Sequence, residues 1–149
     1  MYNRSICNKN QVKMKNVFYT LILAVSFISC GKEEAEVPVT GSQELKIVNS
    51  LTDYDNAIKS GVSLMFFHAT WCSICKTQRP NIQGLLTDTS LKKVTFGEID
   101  KDKNKPINDK YQVSGQPVMI IYKDNVEKHR LSGIHTKEHM AELLKKLNP

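Results

Sequence analysis

A chain of 149 residues, 40% of them hydrophobic, has room for one domain with its own core, which excludes a miniature fold held together only by disulfides. The net charge of +6 is concentrated at the N-terminal end, where Arg4, Lys9, Lys13 and Lys15 stand with no acid; setting these four aside from 21 Lys+Arg leaves 17 against 15 Asp+Glu, or +2. Overall basicity is therefore excluded as an argument for a nucleic-acid partner.

The first feature in chain order is the uncharged run Val17–Ser29, VFYTLILAVSFIS. As a helix rising about 1.5 Å per residue it reaches roughly 20 Å, short of the ~30 Å hydrocarbon core, so it reads as the apolar stretch of a signal peptide rather than a spanning anchor. The basic segment before it is compact if translation begins at Met14 and longer if it begins at Met1. The run ends in Phe27-Ile28-Ser29-Cys30, which resembles the lipobox of bacterial lipoproteins, with Phe27 where leucine is usual. That resemblance implies cleavage before Cys30, lipidation of Cys30, and a protein held on a membrane of the bacterial cell envelope with its domain periplasmic or extracellular. Residues 1–29 are then the signal peptide and 30–43 a lipidated, charged and Pro/Gly/Ser-bearing tether, GKEEAEVPVTGSQ after the cysteine. Residues 44–149 remain as the folded domain.

Within that domain, Leu45–Val48 reads as a first strand. Thr52–Lys59 reads as a short helix capped by Thr52 or Asp53, with Tyr54, Ala57 and Ile58 on one side. Val62–His68, VSLMFFH, is a continuous apolar run expected of a strand buried on both faces. Cys72–Leu86 reads as a helix kinked at Pro80, and Val94–Asp100 as a strand. A short helix follows near Pro106–Tyr111. Val118–Lys123 and Glu127–Leu131, separated by Asp124-Asn125, form a hairpin. Thr136–Leu147 closes the chain as a helix with Thr136 as N-cap and Met140, Leu143, Leu144 and Leu147 on one face. The order βαβαβαββα, with long connections first and a tight hairpin last, predicts an α/β fold whose central mixed sheet is flanked by helices.

Of four cysteines, Cys7 precedes the expected cleavage site and Cys30 is the expected lipid acceptor, so any intramolecular disulfide joins Cys72 and Cys75. A crosslink closing so short a loop is worth only about 2 kcal/mol by chain entropy, which makes the pair a poor staple. A closed metal site needs four ligands, and His68, His129, His135 and His139 lack the compact spacing of one, so neither metal nor cofactor is expected. The remaining reading is a reaction centre: a strand running through Trp71 into a helix places Cys72, expected to be exposed, at the helix N-terminus, where unpaired N–H groups favour a thiolate, and Cys75, expected to be buried, one turn further in.

Trp71-Cys72-Ser73-Ile74-Cys75-Lys76, Pro80 five residues on, Glu98-Ile99-Asp100 ending a strand, Tyr111-Gln112-Val113-Ser114-Gly115-Gln116-Pro117 before another, and Gly133 after the last together resemble the thioredoxin family over about residues 44–147. The resemblance implies a thioredoxin fold, a cis Pro117 lying against the cysteine pair, and a Gln116 backbone turned outward as an edge for an extended substrate. It implies a monomeric enzyme that reduces disulfide-bearing protein substrates, with Cys72 as nucleophile, Cys75 as resolving thiol, Trp71 and Lys76 in support, and Trp71, Gln116 and Pro117 contacting substrate. A membrane or soluble thiol donor would re-reduce the pair. Three positions depart from the family pattern: Phe66 stands where a buried acid helps deprotonate the second cysteine, Ser73-Ile74 replaces Gly-Pro, and Val118 replaces threonine. The alternatives are an oxidase or isomerase on the same chemistry, or a non-catalytic peptide-binding module. Turnover on insulin separates the last of these.

Overall fold

The apolar run Val62–His68 forms β2, the central strand of a five-stranded mixed sheet, in a computed structural model that describes residues 43–148. The expectations for the leader, for most of the tether and for Cys30 lie outside the described residues. In chain order the elements are β1 (Lys46–Ile47), α1 (Leu51–Ile58), β2, α2 (Ser73–Leu86), a 3-10 turn at Thr89–Leu91, β3 (Val94–Asp100), α3 (Lys105–Lys110), β4 (Val118–Lys123), β5 (Val126–Ser132) and α4 (Lys137–Leu147). The sheet order is β1-β3-β2-β4-β5, with β1, β3 and β2 parallel and β4 and β5 antiparallel.

Because side chains alternate across a strand, β2 feeds two cores. Leu64 and Phe66 pack with Cys75, Ile82, Met119, Met140 and Leu144 on the side of α2 and α4. Met65 and Phe67 pack with Tyr54, Ile58, Ile99, Ile107 and Ile120 on the side of α1 and α3. On that second face Tyr54 is fully buried and its hydroxyl meets that of Tyr122 at 3.0 Å, so neither phenol enters the core without a polar partner.

Besides shifts of one residue at the ends of α2, α3 and β5, two differences from expectation have a visible cause. Helix α1 starts one residue before Thr52 and is capped by Ser50, not by Thr52 or Asp53: the Ser50 hydroxyl accepts from the Asp53 N–H at 3.1 Å while its own proton goes to the Asp53 carboxylate at 2.7 Å. Strand β1 keeps only two of the four expected residues, since it is an edge strand paired on one side, with β3 at Gly97 and Glu98. Gly97 makes room there for Met65: a Cβ at that position would lie 2.6 Å from the Met65 sulfur, and the Met65 side chain would have to shift. The hairpin turn has Asp124 and Asn125 both in the left-handed region, φ 49° and 66°, the geometry that matches the twist of the two strands it joins.

Candidate active site

The carboxyl end of β2 is where the site is assembled. The chain leaves His68, makes one turn through Ala69–Trp71 and enters α2 with Cys72 as its N-cap, φ −75° and ψ 107°. The Cys72 sulfur takes the place of a capping oxygen, accepting from the Cys75 N–H at 3.1 Å. Cys72 and Cys75 are joined in a disulfide with a Cα–Cα distance of 5.2 Å. A sulfur held against the free N–H groups at the start of a helix of 14 residues has its anionic form favoured when the bond opens.

Exposure does not separate the two cysteines. Cys72 is 6% and Cys75 3% accessible, so the expected contrast between an open Cys72 and a covered Cys75 is absent in this oxidised form. The reason lies in Ala69 and the β2 end, which enclose the N-cap within the same apolar core that holds Cys75. What does project is Trp71, 66% accessible, with Ile74 half exposed beside it. Lys76 is exposed on the first turn of α2, its N–H donating to the Cys72 carbonyl.

Strand register brings the proline loop to the same end of the sheet. Phe67 lies opposite Val118, so Pro117 lies past it at the level where β2 runs out toward Cys72. The Gln116–Pro117 peptide bond is cis, and the Pro117 carbonyl accepts from the Gly133 N–H at 3.0 Å. Gln116 has no main-chain partner among the described residues, and its side-chain oxygen accepts from Lys101 at 3.3 Å. A groove of about 250 Å³ runs along this loop, walled by Ser114, Gln116, Pro117, Arg130 and Gly133.

Several residues around the pair escape sequence reading. Asp102, in the loop after β3, accepts from the Trp71 indole N–H at 2.7 Å and fixes the ring that borders the disulfide. Gln78, fully buried one turn after Cys75, accepts from the His135 N–H at 2.8 Å and ties α2 to the loop before α4. His68, Arg79 and Glu98 form a partly buried polar cluster around Phe66, with Arg79 donating to Glu98 at 2.6 Å. Their sequence separations gave no signal, since only the pairing of β2 with β3 brings Glu98 beside Phe66. No group of three or more metal-ligating side chains occurs among the described residues, and no described helix is long and apolar enough to cross a membrane.

A CxxC disulfide at a helix N-terminus, on a mixed sheet whose proline loop faces it, defines a thiol-disulfide exchange centre. Comparison with known proteins agrees: the thioredoxin family model matches residues 45–146. The thioredoxin of Chlamydia pneumoniae is 35% identical over 102 residues, covering 68% of this chain and 97% of that protein. A Staphylococcus aureus thioredoxin is 36% identical over 94 residues, 63% of this chain and 89% of its own length. Among solved structures, oxidised mitochondrial thioredoxin 3 from Saccharomyces cerevisiae superposes with a TM-score of 0.62 at 25% identity, covering 69% of this chain and 95% of that one. A mutant Halobacterium salinarum thioredoxin has a TM-score of 0.65 at 23% identity, over 71% and 92% of the two chains. The chain belongs to the thioredoxin family, with the thioredoxin fold and a Cys72–Cys75 redox disulfide.

Proposed function

We propose that this thiol-disulfide oxidoreductase works in the reducing direction, on protein disulfides outside the cytoplasm, as a monomer anchored to a membrane by lipid on Cys30. The observation that carries the reducing mechanism is the Cys72 sulfur at the N-cap of α2, one turn from its partner. The Cys72 thiolate attacks a substrate disulfide and forms a mixed disulfide, expelling the first substrate thiolate. Cys75, as a thiolate, then attacks the Cys72 sulfur, breaks the bond to substrate and leaves Cys72–Cys75 oxidised. Two electrons pass to the substrate, whose two sulfurs each take up a proton, and a thiol donor at the membrane or in solution restores the dithiol. The reaction uses no cofactor beyond the disulfide itself. Gln116, whose main chain is unpaired among the described residues at the end of the sheet where the cysteines lie, offers hydrogen bonds to an extended substrate segment, and Trp71 and Pro117 line its path.

Support for the location is the apolar run that ends in Phe27-Ile28-Ser29-Cys30. The combined test expresses the full chain with and without Cys30→Ser. Wild type is expected in the membrane fraction with an intact mass of a lipidated chain beginning at Cys30, and it accelerates insulin reduction by dithiothreitol; Cys30→Ser is expected to lose the lipid and keep the turnover. An unmodified chain starting at Met1 or Met14 contradicts the anchoring. Insulin reduction no faster than with dithiothreitol alone contradicts the reductase and favours a peptide-binding module.

A further inference from the structure

The resolving step requires the Cys75 thiol to lose a proton inside an apolar core. Cys75 packs among Leu64, Phe66 and Ile82 and is nearly inaccessible, and such surroundings favour the neutral thiol. Phe66, beneath it, offers no group to take the proton. The chain nevertheless collects titratable groups around the Phe66 ring from three elements. From β2, two residues on and on the same face, the His68 ring stacks on Phe66 with centroids 5.4 Å apart. From α2, one turn past Cys75 and on its side of the helix, Arg79 sets its guanidinium 5.6 Å from the Phe66 ring centroid. From β3, Glu98 lies opposite Phe66 and Asp100 opposite His68.

We propose that His68 is the proton acceptor for Cys75 in the second half of the exchange, with Arg79 and Glu98 as the residues that hold its ring in place; this rests on the reductase reading above. The accepting atom is Nε2, which faces Arg79 Nη2 at 3.4 Å and Glu98 Oε2 at 3.7 Å. Arg79 can only donate, so Nε2 presents its lone pair and the ring proton sits on Nδ1. A proton arriving on Nε2 displaces the Arg79 Nη2–H from that lone pair and finds the Glu98 carboxylate beside it, itself anchored by Arg79 Nη1 at 2.6 Å. The charged groups facing the imidazole are Arg79 from α2 and Glu98 and Asp100 from β3. Burial, then Arg79, holds the His68 pKa below its usual value, while Glu98 and Asp100 pull it back up. The ring is consequently neutral and able to accept at pH 7.

The step balances without any further reagent. The Cys75 S–H proton passes through one bridging water to Nε2, the Cys75 thiolate forms its bond to Cys72 Sγ, and the bond from Cys72 Sγ to the substrate sulfur breaks. The departing thiolate takes a proton from solvent, and His68 returns its own to solvent past Arg79 and Glu98, which wall an open groove of about 540 Å³.

The test uses the reduced full chain mixed with 5,5′-dithiobis(2-nitrobenzoate) in a stopped-flow instrument. Attack by Cys72 releases the first thionitrobenzoate at a rate set by reagent concentration, and attack by Cys75 releases the second at a rate independent of it. His68→Gln is expected to leave the first phase unchanged and to slow the second by about 100-fold at pH 7, the low end of what general-base catalysis contributes. The deficit should shrink steadily toward pH 9 as hydroxide takes the proton. Glu98→Gln removes the partner of the protonated ring and should move the pH midpoint of the wild-type second phase downward. A second phase in His68→Gln that keeps the wild-type rate, or that is slowed by one factor at every pH, overturns the proposal; the latter is what a packing defect produces. Absence of the first phase in the wild type would overturn the reductase reading, and this proposal with it.

Discussion

Cys72 caps α2 with a sulfur, and that choice links local structure to reactivity. An N-cap side chain accepts from the N–H groups of the first turn, so a thiolate there is stabilised by the donor that serves the helix, here the Cys75 N–H. Since both sulfurs are nearly covered, electrostatics rather than access must decide which reacts. In the reduced protein Cys72 is therefore expected to have the lower pKa and to be alkylated first by iodoacetamide at pH 7, read by mass spectrometry of the labelled peptides. Cys75→Ser should accumulate mixed disulfides through Cys72, whereas Cys72→Ser should trap little and lose turnover. Faster labelling of Cys75, or turnover retained in Cys72→Ser, would reverse the assignment. The cysteine pair was legible from the sequence because its chemistry needs only four consecutive positions. The cluster of His68, Arg79 and Glu98 was not, because each residue alone reads as an ordinary surface or strand-end residue until Glu98 is laid beside Phe66 by the parallel register.

At the scale of elements, the short 3-10 turn at Thr89–Leu91 fastens the end of α2 to α4. Its N-cap Asp88 accepts from the Ser90 N–H at 3.0 Å and the Ser90 hydroxyl at 2.6 Å, and it pairs with Lys145 of α4 at 2.9 Å. The Ser90 hydroxyl first, then Lys145, lowers the carboxyl from 3.8 to about 2. A group whose pKa is depressed by folding stabilises the fold above its unfolded value, and the contribution disappears as pH falls through the folded one. Asp88→Asn is expected to lower the urea midpoint at pH 7, with the gap to wild type narrowing from about pH 4 and closing near pH 2. A gap of the same size at pH 7 and pH 2 would show that the carboxylate charge is not what matters. Half-exposed Lys145 is screened by solvent, so added salt should reduce its share. This turn was not read from the sequence, since three residues carry no periodicity, whereas β2, α2 and α4 announced themselves by apolar runs and helical spacing over 7, 14 and 11 residues. Ser50 was missed as a cap because Asp53, its reciprocal partner, carries the same kind of signal from inside the first turn.

Across the whole molecule, the placement of chemistry follows from topology. The parallel strands β2 and β3 both run toward the end of the sheet where α2 begins, and β4, antiparallel beside β2, starts there with Pro117 just ahead of it. Four connections thus converge on one rim, and each contributes: Trp71 and Cys72 after β2, Lys101 and Asp102 after β3, Gln116 and Pro117 before β4, and Gly133 after β5. The order of elements made this legible in outline, since long early connections dictate parallel pairing and the late Asp124-Asn125 turn dictates a hairpin. Direction of electron flow is set more finely than topology, because proteins of this fold range from about −270 to −120 mV. Ser73-Ile74 between the cysteines and Phe66 behind them are where this chain departs from the family pattern, and both bear on that balance. The most direct test of a reducing role is the potential of the Cys72–Cys75 couple, measured by equilibrating the protein with glutathione buffers and counting free thiols. A value below about −200 mV is expected, and a value near −120 mV would contradict the reductase and make the protein an oxidant of thiols instead.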